Sequence, residues 1–197
     1  MTLITDTVNR FADTDAPLIA TLAERWSPRG YDATAVIDET VLTTVLEAAR
    51  WAPSAANMQP ARFIVARRGT DSFAKIHEQL AGFNKAWADS ASVLIANVAD
   101  ATMQPEQDNP WASYDLGQAV AHLSVQAQHE GLHTHQMGGF DAAAIAAAFG
   151  LSDKQTVVSV TALGKLGDVT AMSAEVLERE SAPRTRKPLD ELLIAND

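Results

Sequence analysis

The chain contains no cysteine. Disulfides, thiol nucleophiles and thiolate metal sites are therefore excluded. Aromatic residues are sparse at 6%, so no extended stacking surface is available for bases. Positive charge is also scarce. Fifteen Lys and Arg face twenty-five Asp and Glu, giving a net charge of −10. Such a surface repels nucleic acid and anionic membranes, and neither is expected as a partner. Any anionic ligand must be held by local basic clusters. No apolar run is long enough to span a bilayer. Residues 1–15 show no basic segment followed by an apolar stretch, so no signal peptide is expected, and the expected location is cytoplasmic.

What is present suits one globular domain over residues 1–197, with 47% hydrophobic residues to build a core. Residues 1–14 are polar and read as a loosely held lead-in. Leu18, Ile19 and Leu22 have helical spacing, and Pro28 and Gly30 close that segment. Asp38 reads as an N-cap, followed by Val41, Leu42, Val45, Leu46 and Ala49 on one helical face. Phe63-Ile64-Val65-Ala66 is a continuous apolar run read as a buried strand, and Val93-Leu94-Ile95-Ala96-Asn97-Val98 reads as a second. Ser72 to Leu80 is helical. Met103 to Ser113, with Pro105, Pro110 and Trp111, reads as a loop able to cover a pocket. Asp115 to Glu130 is the strongest helix, with Gly131 at its C′ position. Asp141 caps an Ala-rich helix ending at Gly150, and Thr156 to Leu163 alternates as a strand.

Four places carry possible chemistry. Arg25 and Arg29 flank Ser27; arginine forks and a hydroxyl suit phosphate oxygens, although a solvated turn packed by Trp26 would look the same. Pro53-Ser54-Ala55-Ala56-Asn57-Met58-Gln59-Pro60 joins a helix to a strand; its two prolines restrict the backbone, and its small side chains admit close approach. His133 and His135 share a strand face but have no third ligand at suitable spacing, so no metal site is expected. Arg184-Thr185-Arg186-Lys187 is a second basic cluster in an acidic chain. Its simplest interpretation is a solvated tail, but convergence with Arg25 and Ser27 would make a phosphate site.

These segments, in this order, resemble the FMN-dependent nitroreductase family. The matching stretches are Arg25 to Arg29, Pro53 to Pro60, Gly131 through Gly138-Gly139-Phe140-Asp141, and Arg184 to Leu189. The resemblance implies an α+β fold: a mixed, mainly antiparallel sheet flanked by helices, in a domain-swapped homodimer. The tail, about 183–197, would pack on the partner subunit, and the small-residue helix 115–130 would lie in the dimer core.

The resemblance further implies bound FMN, with NADH or NADPH as transient electron donor. Arg25, Ser27, Arg184 and Arg186 would hold the FMN phosphate, with Trp26 in the same segment. Arg29 would approach the pyrimidine edge, and Asn84 the same end. Pro53, Ser54, Ala55 and Asn57 would come from the partner chain, and the Gly138-Gly139 turn would bring a backbone N–H near N5. Ala55 and Ala61 replace a Ser and an aromatic found in many members. No catalytic side chain is implied, because the cofactor carries the hydride. The implied reaction is ping-pong transfer from NAD(P)H to a nitroaromatic, quinone or similar acceptor. The alternatives are other flavin chemistry on the same fold, such as dehydrogenation or reductive removal of a substituent, and a flavin-storage dimer.

Overall fold

A computed structural model describes residues 1–6, 8–104 and 107–195. Helix α1 is short, Ala20–Glu24, and is followed by α2, Glu39–Arg50. Strand β1, Ala61–Arg67, leads to α3, Asp71–Glu78, and then to β2, Val93–Asp100. A small hairpin of β3, Thr102–Gln104, and β4, Gln107–Asp108, precedes the long α4, Ala112–His129. Next come β5, His133–Met137, α5, Ala142–Phe149, and β6, Gln155–Gly164. Helix α6, Ala174–Ser181, and a single turn at Leu189–Leu192 complete the described chain.

The main sheet has the order β1-β2-β6-β5. Every described pairing in it is antiparallel, so the sheet is antiparallel rather than mixed. Strand β2 is central, and all eight of its residues are buried. That burial explains why apolar residues occupy both its faces, with buried Asn97 donating to Ser159 and Thr161 of β6, because both sides are covered by helices. Leu94, Ala96 and Val98 pack with Phe73 and Ile76 of α3 and Ile145 of α5. Val93 and Ile95 point the other way, to Leu42 and Val45 of α2 and Leu123 of α4.

Local chemistry sets the helix ends. Asp38 accepts the Thr40 N–H at 2.8 Å, and Asp141 accepts the Ala144 N–H at 2.9 Å. After α4, Gly131 takes φ +70°, with Gly131 N–H bonded to Gln128 O and Leu132 N–H to Ala127 O. This is a Schellman closure, and it turns the chain directly into β5.

Two expectations need correction. The lead-in is not loose: Ile4 is fully buried with Trp26 and Leu166, and the Arg10 guanidinium donates to Ala182 O at 2.7 Å. Ile4, with Leu3 and Val8 packed on the same cluster, and the buried Arg10 fasten a segment that is otherwise polar. The 103–113 stretch is not wholly a loop either, since β3 and β4 pair and α4 begins at Ala112. Pro105 and Glu106, at the centre of the pocket-covering reading, lie outside the described residues.

Candidate functional site

The two basic segments converge. Arg25 leaves α1 in extended conformation, φ −65° and ψ 128°. Successive side chains of an extended segment point to opposite sides. Arg25 and Ser27 accordingly line a cavity of about 400 Å³ with Val120 and Ser124 of α4 and Gln136 of β5. Gln136 is held there by its amide donating to the Ser124 hydroxyl at 2.9 Å. Trp26 faces inward, 5% exposed, with its ring edge-on to His133 at 4.8 Å. It packs beneath the segment, with its indole N–H directed to Glu180.

Arg184 reaches this segment from the tail. Its guanidinium donates to Ala23 O at 3.0 Å, to Arg25 O at 2.8 Å and to Arg10 O. Burial, with the positive field of Arg25, Arg186 and Arg10, pushes Arg184 below its usual pKa. Arg25 is lowered as well, by burial first and by Arg186 second. Among the described residues Arg186 donates only to the neighbouring Thr185 O, at 2.7 Å. Among the described residues, no carboxylate forms an ion pair with Arg25, Arg184 or Arg186. Arg184 and Arg186 line a neighbouring cavity with Asp13 and Asp15, which form no ion pair with them, so three like charges stand near one another without a directly paired carboxylate, an arrangement that favours a bound anion. In a chain of net charge −10 this arrangement is a local violation of the kind found at functional sites.

Arg29 stands apart from that group. Its backbone N–H donates to Glu180 Oε1 at 3.0 Å and its Nη1 lies 3.6 Å from the same oxygen. It lines a separate cavity with Tyr31, Trp87 and Met172.

The Pro53 to Pro60 loop forms a second centre. Ala56, Asn57 and Gln59 all adopt positive φ, +49°, +56° and +52°. Three non-glycine residues in the left-handed region within four positions is stored backbone strain, which persists only when surroundings impose it. Asp115 supplies part of that constraint. Its buried carboxylate accepts the Ala55 N–H at 3.0 Å, and Ser54 Oγ accepts the Gln59 N–H at 3.0 Å. Pro53 and Ser54 line an apolar cavity of about 430 Å³ with Leu46, Phe63 and Asp115. Within one chain this cavity is distinct from the one beside Arg25.

Gly139 and Asn84 form the remaining pair. The Asn84 amide donates to Gly139 O at 3.3 Å, and a Cβ on Gly139 would lie 3.0 Å from the Asn84 nitrogen. A side chain at 139 would press on the Asn84 amide, so glycine lets the two lie close without a shift. A Cβ on Gly138 would meet open space.

The histidines behave as structural groups. Burial lowers His133 and His135 to about 4 each. His135 is neutral at pH 7 and donates Nδ1–H to Pro28 O at 2.9 Å. Among the described residues no cluster of three or more potential ligands could hold a metal. Also among them, no helix is long and apolar enough to cross a membrane.

Asp115, Gln136 and Glu180 are site-supporting residues that the sequence did not single out. Glu180 shares the buried face of α6 with Val176, four residues earlier, and that spacing was the available signal.

An antiparallel sheet sandwiched by helices, with a basic cluster beside the central helix and a strained Pro-Ser loop, defines a nitroreductase-type α+β protein. The chain belongs to the nitroreductase family, whose model matches residues 22–165. A solved structure described as an oxidoreductase containing FMN is similar at 33% identity and TM-score 0.86, covering 94% of this chain and 93% of that one. An uncharacterized 15.4 kDa protein of Mycolicibacterium smegmatis is 38% identical over 138 residues, 66% of this chain and 92% of the relative. A Bacillus subtilis (strain 168) protein, provisionally named NAD(P)H nitroreductase YdgI, is 28% identical over 183 residues, 73% of this chain and 86% of the relative.

Proposed function

We propose that this protein is an FMN-dependent NAD(P)H oxidoreductase working as a homodimer of single-domain protomers. The observation that carries the proposal is the gathering of Arg25, Arg184 and Arg186 with no carboxylate ion-paired to any of them among the described residues. A flavin phosphate, with its double negative charge and several acceptor oxygens, supplies what that cluster lacks. Arg25, Arg186 and the Ser27 hydroxyl are the groups with donors to offer it. Arg184 contributes charge and fixes the Arg25 backbone. FMN, when bound, supplies the chemistry of accepting a hydride from NAD(P)H and passing it to a second substrate.

The chain's own residues then have binding and orienting roles. Arg29 supplies positive charge where the reduced ring is anionic. Asn84, held to Gly139, orients that edge of the site, and Gly138 and Gly139 leave room for close backbone approach. Pro53, Ser54, Ala55 and Asn57 serve the partner's site, which accounts for their distance from Arg25 within one chain. The exposed Leu189, Leu192, Leu193 and Ile194 form an apolar tail suited to packing on a second copy. The donor and an acceptor such as a nitroaromatic or a quinone use one pocket in turn.

The test combines steady-state kinetics with sedimentation. Parallel double-reciprocal lines with NADH or NADPH against a quinone, from a dimeric protein, are expected. Activity from a monomer, or intersecting lines requiring both substrates together, would contradict the proposal.

A further inference from the structure

Glu180 has a side chain with no solvent exposure. A buried carboxylate is costly unless its oxygens are met by donors and its charge by cations. Here both conditions are satisfied by one stretch of chain. Trp26 Nε1–H donates to Oε2 at 3.4 Å, and the Arg29 backbone N–H donates to Oε1 at 3.0 Å. The Arg29 guanidinium stands 3.6 Å from Oε1, and Arg10, stacked over the Trp26 ring at 5.4 Å, adds positive charge. The two oxygens thus clamp residues 26 and 29, the two sides of the Ser27-Pro28 turn. Helix α6 lies 151 or more positions later in the chain, so the clamp is wholly tertiary.

The geometry of the turn makes the clamp consequential. With Trp26 drawn inward, Arg25 and Ser27 on either side of it are directed outward to their shared cavity. We propose that Glu180 is a positioning residue for the phosphate end of the flavin site. It fixes the Trp26–Arg29 turn so that Arg25 and Ser27 are presented together. This inference rests on the flavin reading above.

The test compares FMN with riboflavin, which lacks the phosphate, on apo-protein of the wild type, Glu180→Gln and Glu180→Ala. Loss of a phosphate-binding arrangement weakens FMN roughly tenfold more than riboflavin, because any change at Arg29 beside the ring is common to both flavins. Glu180→Gln keeps an acceptor but not the charge, so its FMN affinity falls between wild type and Glu180→Ala. Should Glu180→Ala fail to fold with Arg10 and Arg29 unpaired, Glu180→Gln alone decides. Equal weakening of both flavins would reduce Glu180 to a purely structural role and overturn the inference. Unchanged FMN affinity would overturn it as well. A wild type that binds FMN no better than riboflavin would instead defeat the flavin-phosphate reading, so the two failures are told apart by the wild-type ratio.

Discussion

The Arg184 guanidinium donates to the main-chain carbonyl of Arg25 at 2.8 Å, so the tail of the chain holds the backbone of the residue nearest the cavity. The same group also bonds the carbonyls of Ala23 and Arg10. Among the described residues Arg186, two positions on, bonds only its neighbour. The two arginines should therefore separate on mutation. Arg184→Ala is expected to lower stability by about 1–3 kcal/mol, as half-buried carbonyls lose a charged donor. Arg186→Ala should change stability by less than about 0.5 kcal/mol while weakening FMN. Urea denaturation of both variants checks the difference, and equal losses of stability would refute it.

Arg25 has the opposite balance. Its side chain is paired with no carboxylate among the described residues, and burial first, then the charge of Arg186, lowers its pKa. Arg25→Ala should leave folding intact or improve it slightly, since like-charge repulsion is relieved. FMN binding should weaken by about 1.5–3 kcal/mol, the value of a charge-assisted contact. Isothermal titration with FMN measures this, and an unchanged affinity in a folded variant would count against the phosphate assignment.

Asp115 holds the strained loop through the Ala55 N–H. Asp115→Ala leaves that donor without its acceptor beside three left-handed residues. A stability loss of about 1–3 kcal/mol is expected, with faster amide exchange confined first to residues 54–59. Asp115→Asn retains an acceptor and should lose less. Hydrogen exchange that is no faster in the loop than elsewhere would contradict the constraint.

The buried histidines give a pH dependence of known sign. Both sit at about 4 when folded, against an ordinary value of 6.5. The unfolded chain therefore binds more protons between these values, and stability rises with pH. Their contribution is complete above about pH 6.5 and is lost as pH falls toward 4, on the order of a few kcal/mol for the pair. His133, packed on Trp26 and with Nδ1 unbonded among the described residues, can be replaced by Phe to remove one titration. The denaturation midpoint of His133→Phe should fall less between pH 7 and pH 5 than that of the wild type.

Much of this architecture is legible where local chemistry decides it. Asp38, Asp141 and Gly131 mark helix ends because caps and left-handed closures are local. The apolar run of β2 marks a strand because burial on both faces removes alternation, and the short run Phe63 to Ala66 marks β1 although that edge strand is only partly buried. Convergence of the Arg25 and Arg184 segments was readable as a possibility, since basic clusters are conspicuous in an acidic chain. What stayed hidden depends on tertiary partners. Leu3, Ile4 and Val8 are too few to announce a packed segment until Trp26 and Leu166 meet them. Glu180 belongs to an acidic run that reads as solvated, and only the fold brings Trp26 and Arg29 to it. The β3–β4 hairpin pairs only with itself among the described residues, so no apolar period announces it.

The central claim is tested most directly by the visible absorption spectrum of the purified protein, before and after anaerobic addition of NADPH and then NADH. The proposed function predicts a bound-flavin spectrum that bleaches with at least one of the two donors. A colourless protein that takes up no added FMN, or a bound flavin that neither donor reduces, would contradict it.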